Sequence, residues 1–190
     1  MIDCRRFFRE PPRIRAEVKQ HVDEIAQKIL DAIVRAVRIF DAEQLAQKHV
    51  RLALFLIMVE PVTCYMNGQL CYRQSTLKPI FKSLTRAIAR SDEAVRNGNR
   101  YGRMERHTFL TICRHGKAQE PRFTKPALLH VAAVINEVCG ILLHNAQAHM
   151  RDATLTMAHM KLALTVKDEH GTRPHASFIR FLHRVGVSMD

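Results

Sequence analysis

The sequence predicts an all-α protein built from two copies of one helical motif that pair with each other inside a single polypeptide. Three observations predict it. Apolar residues recur at steps of three and four over two stretches much longer than the average helix. The pattern of the first stretch returns in the second at a constant offset, from His49 to His159, or 110 residues. And 47% of the 190 residues are hydrophobic, enough to fill a core and to exclude wholesale disorder.

The first stretch runs from Ile14 through Val18, Val22, Ile25, Ile29, Ile33 and Val37 to Phe40, with Lys19, Asp23, Gln27, Asp31 and Arg35 on other faces. It reads as one amphipathic helix of about seven turns and about 40 Å. Pro11-Pro12 stand where a helix can start but not inside one. Asp41 is placed to cap the next element, a shorter helix over Gln47–Val59 closed by Glu60-Pro61. Thr63 to Gln74, with Asn67-Gly68, reads as mixed and turn-like. Ser75 to Arg96 is a further helix with Leu77, Phe81, Leu84 and Ile88 inward, and Asn97-Gly98-Asn99 breaks it. That break divides the chain into 1–97 and 98–190. His107 to Arg114 is a short helix stopped by His115-Gly116.

The second long helix opens at Thr124-Lys125-Pro126 and carries Leu128, Val131, Ile135, Val138, Leu142 and Ala146 on one stripe to about Met150. A polar link with Arg151, Asp152 and Thr154 leads to a short helix over Thr156–Val166, and Ala176 to Val185 forms a last amphipathic helix. At the offset of 110 the segment His49-Val50-Arg51-Leu52-Ala53-Leu54 matches His159-Met160-Lys161-Leu162-Ala163-Leu164, and Val18, Ile25, Ala36 and Leu45 fall on Leu128, Ile135, Ala146 and Leu155. A long helix with one apolar stripe cannot bury it against a short partner; it needs the second long helix across it.

Charge narrows the function. Thirty Lys+Arg against 18 Asp+Glu give +12, which favours a polyanionic partner: nucleic acid, an acidic membrane surface or an acidic protein. The longest purely apolar run, Leu52 to Val59, is too short to span a membrane, so no spanning segment is expected. The N-terminus, with Arg5-Arg6 before Phe7-Phe8, does not read as a signal peptide. Five cysteines without a C-x-x-C pair point to a reducing compartment, with neither a disulfide framework nor a zinc site. His144 with His149 and Cys113 with His115 lack a second pair at ligand spacing, so no metal or other cofactor is expected. Met150, Met157 and Met160 read as core filling, and His49 and His159, equivalent in the repeat, as packing or capping residues. No Ser/His/Asp arrangement, carboxylate pair or phosphate-cradling glycine loop is present, and no enzyme is predicted.

The second half resembles histone 2A. Val131-Ala132-Ala133-Val134-Ile135, Gly140-Ile141-Leu142-Leu143, Asn145-Ala146 and Arg151-Asp152 are similar to that family's central helix, Ala158 to Leu164 to its third helix, and Arg114-His115-Gly116-Lys117 to the end of its first. The first half is similar to histone 2B, through Val22-Asp23-Glu24-Ile25, Ile29, Arg35, Lys48, Ala53 and, further on, Thr85-Arg86-Ala87-Ile88. A 2B–2A fusion resembles the histone doublets of large DNA viruses, the marseillevirus group above all. The resemblance implies two tandem histone folds paired as an intramolecular handshake, a pseudo-heterodimer. It implies double-stranded DNA as a partner, and a histone 4–histone 3 doublet or separate histones 3 and 4, assembled into a nucleosome-like particle. The location implied is the virion and the site of viral genome packaging, or chromatin in the nucleus if the protein is cellular. The chain departs from the families in having only Cys4 to Glu10 for the first 2B helix and no lysine-rich tail, like a trimmed doublet. Ala42 and Thr154 replace the arginines of the second loops; Asn136, Ile141 and His144 replace acidic-patch carboxylates, leaving Asp168 and Glu169 as a residual patch.

The candidate DNA-binding residues are Arg13, Arg15, Lys48, Arg114, Arg122 and Lys125, all at or beside helix starts and links, where backbone N–H groups favour phosphate. Such contacts position a duplex without reading bases. Val18, Val22, Ile25, Ile29 and Ile33 would pair with Leu128, Val131, Ile135, Val138 and Leu142. Lys78, Lys82, Arg86 and Arg90, four apart, read as a solvated helix face. The competing functions are a histone-fold transcriptional regulator, or a histone-binding module, that forms no particles.

Overall fold

The computed structural model describes residues 2–40, 42–59, 63–66, 69–72, 77–104, 106–117, 122–165 and 174–187. Pro11 and Pro12 disfavour helical geometry in the residues before them, and the chain between a single 3-10 turn at Cys4–Phe7 and Arg13 is extended or bent. Strand β1 (Arg13–Ile14) then leads into α1 (Ala16–Val37), whose stripe Val18, Val22, Ile25, Ile29, Ile33 and Val37 is buried. A 3-10 turn (Arg38–Phe40) tightens its end, and β2 (Gln44–Leu45) and α2 (Gln47–Met58) come next. Asp41, read as a cap, lies outside the described residues; Ala46 precedes the first turn of α2.

The segment expected to be turn-like holds an antiparallel hairpin instead, β3 (Thr63–Met66) with β4 (Gln69–Tyr72), Met66 opposite Gln69. Its Thr, Tyr and Met residues suit an extended chain, and Asn-Gly is the commonest two-residue hairpin link, a signal read only as a turn. Helix α3 (Lys78–Arg96) stops before Gly98, which takes φ +91°. Helix α4 (Arg106–Lys117) runs through His115-Gly116, where a stop was expected; one glycine weakens a helix without ending it. Strand β5 (Arg122–Phe123), α5 (Lys125–Ala148), β6 (Thr154–Leu155), α6 (Met157–Thr165) and α7 (Pro174–Arg184) complete the order.

Strand, long helix, strand, short helix thus occurs twice, as β1-α1-β2-α2 and β5-α5-β6-α6. The strands pair crosswise and in parallel: β1 with β6, β2 with β5. The start of each long helix therefore lies beside the end of the other, so α1 and α5 run in opposite directions. The two strand positions that close the long helices, Leu45 and Leu155, are both 0% exposed. The offset is not constant throughout. It is 110 from Leu45 to Leu155 but 109 from Arg13 to Arg122, so one extra residue enters between the first strand and the second in the later copy.

Packing is crossed too. Helix α2 rests on both α1 and α5, α6 on both α5 and α1, and the two long helices touch directly. One buried cluster runs through both halves, and all ten residues expected to pair are buried within it. Helix α3 lies on α5 and α2, and α4 on α5. Helix α7 seats Phe178, Phe181 and Leu182 on α3 and α2 of its own chain, and Arg184 Nη1 donates to the carbonyls of Ile57 (3.2 Å) and Val59 (3.1 Å). The expectation that no segment has membrane-spanning character is corrected for α5. Among the described residues it is the one helix long and apolar enough to cross a bilayer, with a mean hydropathy of 1.8. Its burial explains the composition: 72% of its most apolar stretch is inside the protein, covered from several sides by the other helices.

Candidate nucleic-acid interface

The two crossed strand pairs are the structural centres of the surface. At one, Arg13 N–H donates to Ala153 O (2.9 Å) and Arg15 N–H to Leu155 O (3.2 Å). At the other, the equivalent bond runs from Thr124 N–H to Leu45 O (2.9 Å), reinforced by Thr124 Oγ1 (3.2 Å). Both pairings use the same leucine carbonyl of the repeat. They fix the backbone at the start of each long helix against the link that ends the other.

Cations gather at both. Arg13 lies opposite Thr154, with Arg15 two residues on at the entry to α1, and all three of Arg13, Arg15 and Arg151 are exposed. Arg122 lies opposite Gln44, with Lys125 as the first residue of α5 and Lys48 in the first turn of α2, again exposed. The 22 residues of α1 separate the two centres by about 33 Å. The starts of the long helices differ. Arg15 makes no side-chain capping bond at α1, whereas Thr124 Oγ1 accepts from Ala127 N–H (3.4 Å) at α5. The α1 start therefore has N–H groups and a positive dipole end for a phosphate.

Of the six residues expected to contact DNA, five divide between these two centres. Arg114 is placed apart, on the exposed side of α4, four residues beyond Leu110 and eight beyond Arg106. Sequence reasoning missed Arg38 and Arg151, the exposed cations that come after the two long helices, and Arg106. The signal was available. The crossed arrangement brings the end of one long helix to the start of the other, so cations after each helix count with those before its partner.

Histidines 49 and 159 resolve as caps. His49 Nδ1 accepts from Ala46 N–H (3.0 Å) and His159 Nδ1 from Thr156 N–H (3.2 Å), the same bond in both copies. His130 is fully buried, its Nε2 2.9 Å from Asp92 Oδ1 and 3.1 Å from the Gln47 amide, and Arg51 reaches Asp92 Oδ2 at 3.2 Å. This network ties α2, α3 and α5. Asn136 Oδ1 accepts from Arg6 Nη2 (2.8 Å), Ile141 is half-buried, and His144 is exposed with its ring edge-on to Phe8. Asp168 and Glu169 lie outside the described residues.

No three metal-ligating side chains converge among the described residues. The three cysteines whose side chains are described, Cys4, Cys113 and Cys139, are buried. Burial, with Asp23 and Asp3 adding to it, pushes the Cys4 thiol up to about 12. Complete burial pushes the Cys139 thiol up as well, so neither is a thiolate near neutrality. A cleft of about 680 Å³ between α1 and α4 carries carboxylates, but Asp23 Oδ1 accepts from Ile2 N–H (2.6 Å) and Glu24 from the Gln20 amide (3.0 Å). The described surface offers charge and backbone N–H groups at fixed spacing. The chain matches no protein-family model, and no curated protein matches it.

Proposed function

We propose that this chain is a DNA-packaging protein: two fused histone folds, 2B-like then 2A-like, clasped as one unit that binds duplex DNA through its phosphates. The observation that carries the reading is the crossed pairing of β1 with β6 and β2 with β5, which holds a set of exposed cations at each end of the long helices. Fusing the halves makes their pairing intramolecular, independent of protein concentration. Phosphate contacts of this kind bend and hold DNA with little sequence preference.

Docking on a histone 3–histone 4 pair, separate or fused, is the second part of the proposal. Leu52 (46% exposed), Phe55 (54%) and Leu56 (41%) lie at i, i+3 and i+4 on the outer side of α2, an apolar stripe about half exposed in the single chain, with Phe55 edge-on to Phe81 of α3. Such a stripe suits a helix from another protein. The loss of arginine at Ala42 and Thr154 fits a looser grip on DNA than the parent families have.

Titration of a fluorescent duplex at several salt concentrations tests the DNA part. Six phosphate contacts give a log–log slope of about −5. Replacing Arg13, Arg15, Lys48, Arg122 and Lys125 by serine is expected to weaken binding and flatten that slope. A slope near zero, or one unchanged in the variant, contradicts the reading and favours a histone-binding module with incidental charge.

A further inference from the structure

The outer side of α3 and the turn after it form a second cationic surface, apart from the strand pairs. Lys78, Lys82, Arg86 and Arg90 are exposed at intervals of four, and Arg96, Arg100 and Arg103 continue the charge past the helix end. Like charges four apart disfavour the helix. Lys78, Lys82, Arg86 and Arg103 have no ion pair among the described residues.

Where α3 meets the middle of α5, the surface sinks into a pocket of about 170 Å³ lined by Ala87, Arg90, Arg103, Met104, Asn136 and Glu137. Glu137 is engaged at both oxygens: Oε1 accepts from Ser83 Oγ and Oε2 from Arg90 Nη2, both at 2.7 Å. Its charge is matched by Arg90, while Arg103, exposed and also lining the pocket, has no ion pair among the described residues. The turn bearing Arg103 is fixed. Gly102 has φ +65° and packs so closely that a Cβ there would overlap Ser91 Oγ, and Met104 on the other side is buried. Arg103 is therefore presented on a held backbone.

We infer that this face is a docking surface for an acidic peptide segment of a partner protein, with one carboxylate side chain entering the pocket. A carboxylate matches the two-pronged guanidinium of Arg103, and Ala87 and Met104 pack against its methylenes. The cations along α3 then meet further acidic residues of the same segment. A recess between two helices admits a single side chain, whereas the phosphates of a stiff duplex stay on a convex surface. The pocket also stands apart from the strand pairs, since Asn136 is eleven residues, or about 16 Å, along α5 from Lys125.

A labelled glutamate-rich peptide tests this against the full chain, with the duplex as the second probe. The triple variant Lys82→Glu, Arg86→Glu, Arg103→Glu changes only exposed side chains, and circular dichroism checks that it stays folded. The inference predicts that this variant binds the peptide about tenfold more weakly or worse, while its duplex affinity stays within about twofold and the strand-pair serine variant keeps its peptide affinity. Peptide binding untouched by the triple variant, or lost equally in the serine variant, overturns the inference. So does a duplex affinity that falls as far as the peptide's, which would make α3 part of the DNA surface. The packaging proposal is tested by the other variant and probe, so either can fail alone.

Discussion

At the residue scale, the repeated caps make the sharpest statements. His49 and His159 each satisfy a backbone N–H at the start of a short helix through Nδ1, and Thr124 does so for α5 while also bonding Leu45 O. Replacing any one by alanine is expected to cost about 1 kcal/mol in urea unfolding, and Thr124→Ala the most, because it also loses the bond to Leu45. A histidine variant with unchanged stability would deny the capping role. The buried thiols give a pH prediction. Folding raises the Cys4 thiol to about 12 and raises Cys139 as well, so their contribution to stability is complete below the ordinary thiol value of about 8.5 and declines above it. Stability should then fall by about 1.4 kcal/mol per pH unit for each thiol as the solution becomes alkaline. Cys139→Ala should lose stability more slowly than the parent between neutral and alkaline pH; parallel curves would contradict this. The histidine roles were legible because two copies of a repeat that keep the same residue at the same place keep its local bond as well. The thiols were not, since burial on one helix face depends on which neighbours arrive there.

At the element scale, periodicity placed the long and short helices to within a few residues, because each buries a stripe that only a 3.6-residue period produces. It did not show the β3–β4 hairpin, eight residues whose ladder is made of backbone bonds that side-chain periodicity does not record. Nor did it show where α7 goes. Its apolar residues specify that it is covered, but the cover, α3 and α2, lies far back in the chain. Phe181, a fully buried residue of α7, gives the test: Phe181→Ala should cost about 3–5 kcal/mol, and a value near zero in a denaturant melt would mean that α7 is not seated there. The half-exposed stripe on α2 behaves in the opposite way. Phe55→Glu should cost only about 1 kcal/mol, for the lost edge contact with Phe81, and prevent association with histone 3–histone 4 proteins. Association that survives the charge would place the docking surface elsewhere.

At the scale of the whole molecule, the crossed packing has a thermodynamic consequence. The halves on either side of Gly98 share one buried cluster through α1, α2, α5 and α6. They should unfold together in one transition, coincident by circular dichroism and by a probe attached to either half. Two separated transitions would show two independent cores. The sequence made the duplication legible through equivalent residues such as Leu45 and Leu155, and it supplied five of the cations that the strand pairs assemble. It could not show which of them meet, because a constant offset says that two segments are alike, not that the start of one lies against the end of the other. Arg38 and Arg151 were overlooked for that reason.

The central claim is that the clasped unit packages DNA with partner histones. Nuclease digestion of DNA reconstituted with the chain and a histone 3–histone 4 pair tests it most directly. Packaging predicts a discrete protected fragment that is absent when either protein is omitted. A continuous smear, with no fragment dependent on this chain, would contradict the account.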